Sequence, residues 1–151
     1  MNTIFLVEDN PADVELFQMA LQEVGVKYDL VLFEDGAEVI NYVCNPETAD
    51  LQKMPDLMVL DLNLPRNDGL EILQVVRNKP AFADLPIAVL SSSSSSRERA
   101  SLATFQVREF IAKPPDLEQY MNIGQIVRNL LDEIAAERAT ASIKRAVDQP
   151  A

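Results

Sequence analysis

A chain of 151 residues with 48% hydrophobic and 25% charged residues has the size and composition of one globular domain, which excludes a disordered or low-complexity protein. Its 24 acidic residues against 13 basic ones leave a net charge of -11, so a nucleic-acid backbone or an anionic membrane surface would repel it. With no histidine, every His-based triad and every His metal ligand is removed, and any chemistry must rest on carboxylates, hydroxyls and lysine.

The first apolar run, residues 3–7, has strand length and follows a start too short in apolar residues for a signal peptide, so the expected compartment is the cytoplasm. Asn10-Pro11-Ala12-Asp13 then opens a helix, with proline at its first position, an acid in its first turn, and Val14, Phe17, Leu21 and Val24 at helical spacing. A second strand is predicted over 28–33, and Asp35 with Glu38 marks the start of the next helix by reciprocal capping. The single cysteine, Cys44, excludes an internal disulfide and reads as a small buried apolar residue. A third strand over 55–60 is followed by a helix opened by Asp68 and Glu71, striped by Leu70, Leu73 and Val76 with Arg77 on the flank. The fourth strand, 86–90, runs straight into six serines. Such a run has the composition of a flexible linker. Here, however, Ser95 with Glu98 caps another helix, so the serines form a loop inside one domain.

A fifth strand over 108–112 leads to a helix start at Asp116 with Gln119, and Ile123, Ile126, Val127, Leu130, Leu131 and Ile134 form its apolar stripe. Helix-favouring sequence continues past Ile134 with Ile143 and Val147 one turn apart. The expected organisation is one domain over 1–136 with a tail or helical arm over 137–151. Five strands alternating with five helices, the strands being continuously apolar, call for an α/β fold. Its expected form is a (βα)5 flavodoxin-like, doubly wound parallel sheet in the order 2-1-3-4-5, with an extended C-terminal helix.

Ligands of such sheets sit beyond the carboxyl ends of the strands. The residues placed there are Glu8 and Asp9 after strand one, Asp61 after strand three, Ser91 after strand four and Lys113 after strand five. Three converging carboxylates repel one another unless a cation neutralises them, and an all-oxygen set suits a hard divalent ion such as Mg²⁺. A carboxylate in that setting can act as the nucleophile of phosphoryl transfer and form an aspartyl phosphate. Taken singly, acids at strand ends are commonly solvated turn residues and Phe110 is ordinary strand packing. The joint pattern carries the reading.

The acidic pair in LVEDN, the acid in LDLNLP followed by DG, the hydroxyl in VLSS, the aromatic Phe110 and the KP of EFIAKPP together resemble the receiver domain of two-component response regulators. The resemblance covers residues 3 to about 134. The long connection NPETADLQKMP and the EDNPAD stretch further resemble single-domain regulators that partner bacterial phytochrome-type histidine kinases. It implies that Asp61 is the phosphorylated nucleophile, and that Glu8, Asp9 and Asp61 bind Mg²⁺ with the Asn63 backbone carbonyl. It further implies that Lys113 pairs with the phosphoryl group, that Ser91 closes onto it, and that Phe110 turns inward with Ser91. Family members often carry Thr at the Ser91 position and a small Ala-type residue at that of Ser92.

Two other functions share the fold. A flavin or nucleotide binder needs a Gly- and hydroxyl-rich phosphate loop after strand one, where this chain has EDNPAD. A phosphatase with an Asp nucleophile needs a second acid two residues later, where Asn63 stands. The expectation is therefore a phosphoacceptor signalling protein rather than a turnover enzyme. No further domain follows the last predicted helix, so its output is expected through an unidentified downstream protein. The apolar tail, with helix four, strand five and helix five, suggests a twofold homodimer.

Overall fold

The computed structural model describes residues 2–45, 54–62, 69–92 and 96–148. Strands β1 (Asn2–Val7), β2 (Tyr28–Phe33), β3 (Leu57–Asp61), β4 (Ile87–Ser91) and β5 (Glu109–Ala112) form one parallel sheet in the order β2-β1-β3-β4-β5. The expected order is met, and strand limits agree with the apolar runs to within about two residues. Helices α1 (Pro11–Glu23), α2 (Gly36–Cys44), α3 (Gly69–Asn78) and α4 (Ser96–Ala103) supply the crossovers.

The pleat sorts alternate strand residues between two cores. Ile4, Leu6, Leu57, Val59, Ala88 and Leu90 face Phe17 and Leu21 of α1 and the stripe of the C-terminal helix. Phe5, Val7, Met58, Leu60, Ile87 and Val89 face Val39 of α2 and Ile72, Leu73 and Val76 of α3. Because both sheet faces are covered, the central strands β3 and β4 are buried at every position. Each fully buried Leu, Ile or Phe contributes about 2 kcal/mol of burial free energy, so the two layers are what hold the strand ends in place.

The starts of the helices follow their capping signals. Asn10 accepts a hydrogen bond from the Ala12 amide, Asp35 from the Glu38 amide at 2.8 Å, and Asp116 from the Gln119 amide at 2.7 Å. The capping signals at Asp68 and Ser95 lie outside the described residues. Three features depart from the sequence reading. A 3₁₀ turn, Pro80–Phe82, follows α3. The last helix is divided into a single turn α5 (Leu117–Tyr120) and a long α6 (Asn122–Asp148), so that Tyr120 is turned into the core. Cys44 is exposed rather than buried, because it ends α2 on the side away from buried Val39 and Val43.

Helix α6 crosses α1 closely at Gly124. A Cβ there would lie 2.1 Å from the Ala20 carbonyl oxygen, so glycine is what allows this approach. The helix runs through residues 136 and 137 without a break. It is tied to the rest of the fold by ion pairs of Arg108 with Glu137 and of Arg138 with Asp56.

Candidate phosphoacceptor site

The sheet brings four of the predicted side chains together at its carboxyl edge. In-register pairing of β3 beside both β1 and β4 sets Asp61 opposite Leu90 and just past the end of β1. One backbone hydrogen bond beyond the β4–β5 ladder, from the Lys113 amide to the Ser91 carbonyl at 2.9 Å, aims the lysine inward. Its ammonium donates to Asp61 Oδ2 at 2.7 Å, Asp13 Oδ2 at 3.0 Å and Glu8 Oε2 at 3.1 Å. Glu8 and Asp61 are 2% and 1% exposed, whereas Asp9 faces solvent.

One oxygen from each of Glu8, Asp9 and Asp61 lies within 4.8 Å of the others, the compactness that a single cation requires. Two of these carboxylates are buried and share one ammonium, so the donor set fits a hard divalent ion. The receiver resemblance also implies the Asn63 carbonyl as a ligand, and Asn63 lies outside the described residues. Among the described residues, no helix is long and apolar enough to cross a membrane.

The electrostatics follow from this crowding. Burial, and then the hydrogen bond and charge of neighbouring Asp61, push Glu8 up from 4.5 to about 7, against the opposing pull of Lys113. Burial alone would lower Lys113, but its bonds to Asp61 and Asp13 and the surrounding negative charge outweigh that and raise it. Tyr120, buried beside the site, is raised to about 12, chiefly by burial and then by the charge of Asp13.

Because the folded pKa of Glu8 exceeds its ordinary value, the folded state binds more protons between pH 4.5 and 7. Its contribution to stability is therefore present below pH 4.5 and is lost as pH rises through 7. In metal-free buffer the urea midpoint is expected to fall across that window, and Glu8→Gln is expected to flatten the slope. An equal slope in the variant would show that Glu8 is not the group responsible.

Ser91 lies at the end of β4, beside Asp61 in the neighbouring strand, and borders a narrow space shared with Leu62, Leu102 and Phe110. Phe110 is half-buried against the core, and the Arg99 guanidinium of α4 sits 5.7 Å from its ring centroid. Asp13 and Tyr120 are the site neighbours that the sequence reading did not assign. Asp13 stands in the first turn of α1, a few residues after Glu8 and Asp9, but its meeting with Lys113 joins residues 100 apart in the chain and has no local signal.

A chain with this sheet order, this acidic pair, an acid ending β3 and a lysine after β5 has the plan of a phosphoacceptor domain. Residues 4–124 match the response regulator receiver domain family, and the chain belongs to it. Among its relatives is the response regulator Rcp1 of Synechocystis, 28% identical over 122 residues, which span 81% of this chain and 83% of that protein. The crystal structure of the phosphorylated cyanobacterial phytochrome response regulator RcpA superposes with a TM-score of 0.77 at 34% identity, covering 86% of this chain and 93% of that one. The Mn²⁺-bound form of Rcp1 gives 0.74 at 27% identity, covering 84% and 91%.

Proposed function

We propose that this receiver domain takes a phosphoryl group from a partner histidine kinase onto Asp61 in a Mg²⁺-dependent reaction and passes the signal on by protein contact. The carrying observation is the buried Asp61 carboxylate bonded at 2.7 Å to Lys113 and grouped with Glu8 and Asp9. In the transfer, the P–N bond to the kinase histidine breaks, an Asp61 Oδ–P bond forms, and the released imidazole keeps the electron pair and takes up a proton. Glu8, Asp9 and Asp61, with the Asn63 carbonyl, would hold Mg²⁺, which supplies charge neutralisation for the phosphoryl oxygens. Lys113, bonded to Asp61 at 2.7 Å, would stabilise the same charge.

The kinase class is proposed to be phytochrome-type, on the likeness to Rcp1 and RcpA, and the working compartment to be the cytoplasm. A groove of ≈ 760 Å³ opens beside the site between Asp13, Pro115, Leu117 and Tyr120, and Leu117 on its wall is 55% exposed, which suits the approach of a partner side chain. The receiver is proposed to span residues 1–136, with 137–151 a tail or helical arm. The arm is proposed to pair in a homodimer with α4, β5 and α6. A flavin or nucleotide phosphate is disfavoured by the acids Glu8 and Asp9 directly after β1.

Acetyl phosphate with Mg²⁺ is expected to add one acid-stable, base-labile phosphoryl group, read by intact mass, to the wild-type chain and none to Asp61→Asn. Equal labelling of the two would refute Asp61 as acceptor. Labelling is also expected to change hydrogen exchange over residues 91–112, since Ser91 reaches the phosphoryl group only if its loop moves inward and Phe110 repacks. Unchanged exchange there would remove the switch role of Ser91 and Phe110.

A further inference from the structure

We infer that Asp13 is a positioning residue for phosphoryl transfer: it anchors the Lys113 ammonium while the other two partners of that ammonium are engaged elsewhere. The inference rests on the receiver reading above and deepens it. An ammonium has three N–H donors and no acceptor. All three are directed to carboxylates, at 2.7 Å to Asp61, 3.0 Å to Asp13 and 3.1 Å to Glu8. Asp61 is the group that changes chemically during the reaction. Glu8 belongs with Asp9 and Asp61 to the oxygen cluster suited to a cation, whereas Asp13 does not. Among the described residues, Asp13 is thus the one partner of Lys113 left outside the reacting set.

Asp13 is also well held. It occupies the first turn of α1, whose start is set by Pro11 and by the Asn10 side chain accepting from the Ala12 amide at 2.9 Å. Its own carbonyl faces the buried Tyr120 hydroxyl at 3.5 Å. The lysine stem, by contrast, is four flexible carbons. One fixed acceptor restricts where the ammonium points, so less orientational freedom is lost when it meets a phosphoryl oxygen.

A competing effect has the opposite sign. Asp13 adds a negative charge beside Glu8, Asp9 and Asp61, and an anionic phosphodonor is repelled by it. Lys113 offsets that charge only in part, because it also serves Glu8 and Asp61, but Asp13 is 25% exposed and water screens its longer-range field, whereas the charge-assisted bond acts at the ammonium directly. Positioning therefore dominates, and loss of the anchor should slow transfer.

The test compares wild type, Asp13→Asn, Asp13→Ala and Asp13→Glu for the rate of Asp61 labelling by acetyl phosphate, with Mg²⁺ affinity measured separately by calorimetry on the unphosphorylated chains. The expected result is a rate about tenfold lower in Asp13→Ala, the loss typical of one charge-assisted hydrogen bond. A smaller loss is expected in Asp13→Asn, which keeps an acceptor oxygen, and partial recovery in Asp13→Glu, all with Mg²⁺ affinity unchanged. Should Asp13→Ala fail to fold, Asp13→Asn, of the same size, carries the comparison. Wild-type or faster labelling in the neutral variants would overturn the inference in favour of charge repulsion. A slower rate accompanied by weaker Mg²⁺ binding would overturn it by making Asp13 part of the metal site. A wild-type chain that is not labelled would instead refute the receiver reading itself.

Discussion

Replacing Arg77 with alanine is expected to destabilise the fold by about 3 kcal/mol, the range of a charged group's hydrogen bonds lost from a half-buried site. Its Nε donates to the Phe105 carbonyl at 2.8 Å, its Nη1 to the carbonyls of Phe82, Ala83 and Leu85, and its Nη2 to that of Gln106. These acceptors belong to two turns, the one after α3 and the one between α4 and β5. The second includes Gln106 in the left-handed region at φ 59°, a conformation with its own cost. Burial lowers the guanidinium's pKa, and the charge of Asp84 opposes that, yet at any ordinary pH the group stays protonated.

Truncation would leave several carbonyls without a donor at once, which is why the loss exceeds that of a typical surface substitution. Lysine is expected to restore little, since a single ammonium cannot span the planar fork that five carbonyls surround. Thermal unfolding followed by circular dichroism should place Arg77→Ala roughly 10 °C below wild type, given a few degrees per kcal/mol for a chain of this size. A shift of under about 2 °C would show that the carbonyls find water without cost. Because Arg77 ties α3 to the start of β5, the strand that delivers Phe110 and Lys113, Arg77→Ala should also loosen the site.

Deleting residues 137–151 is expected to convert a dimer into a monomer. Past Glu137 and Arg138 the helix continues to Asp148, and Ile143 is 66% exposed. The arm extends a docked helix, yet most helical stability in proteins comes from packing an apolar face, and exposed Ile143 has none to pack on among the described residues, so a surface that covers it would stabilise the arm. In the proposed homodimer a second copy would supply one by twofold symmetry, through α4, β5, α6 and the arm. Light scattering at micromolar concentration should give twice the chain mass for the full sequence and a single mass for the deletion. Ile143→Glu, which leaves the Glu137 and Arg138 ion pairs intact, should also give the single mass. A monomer mass for the full chain, unchanged on deleting residues 137–151, would defeat the dimer.

The sheet and the reacting residues were legible in the sequence because both obey local rules. A five-residue apolar run such as 86–90, opened by proline and too short for a helix, reads as a strand buried on both faces, and Asn10, Asp35 and Asp116 cap their helices within three residues. Once five such units alternate, the side chains that follow each strand must share an edge, so Glu8, Asp9, Asp61 and Lys113 could be named together. Other features depend on contacts between residues far apart in the chain, for which local sequence carries no signal. Asp13 meets Lys113 across 100 residues, and Arg77 reaches the Gln106 carbonyl across 29. Cys44 lies at the solvent end of α2 although its composition class favours burial, because which face a helix end presents is set by the sheet it packs on. The division of the last helix has the same origin, since Tyr120 enters the core beside Asp13 only where α1 and β5 have already been brought together. Sequence alone therefore determined which side chains gather at the sheet edge, while tertiary packing decided that Lys113 is shared among three carboxylates and that Arg77 joins the turns behind it.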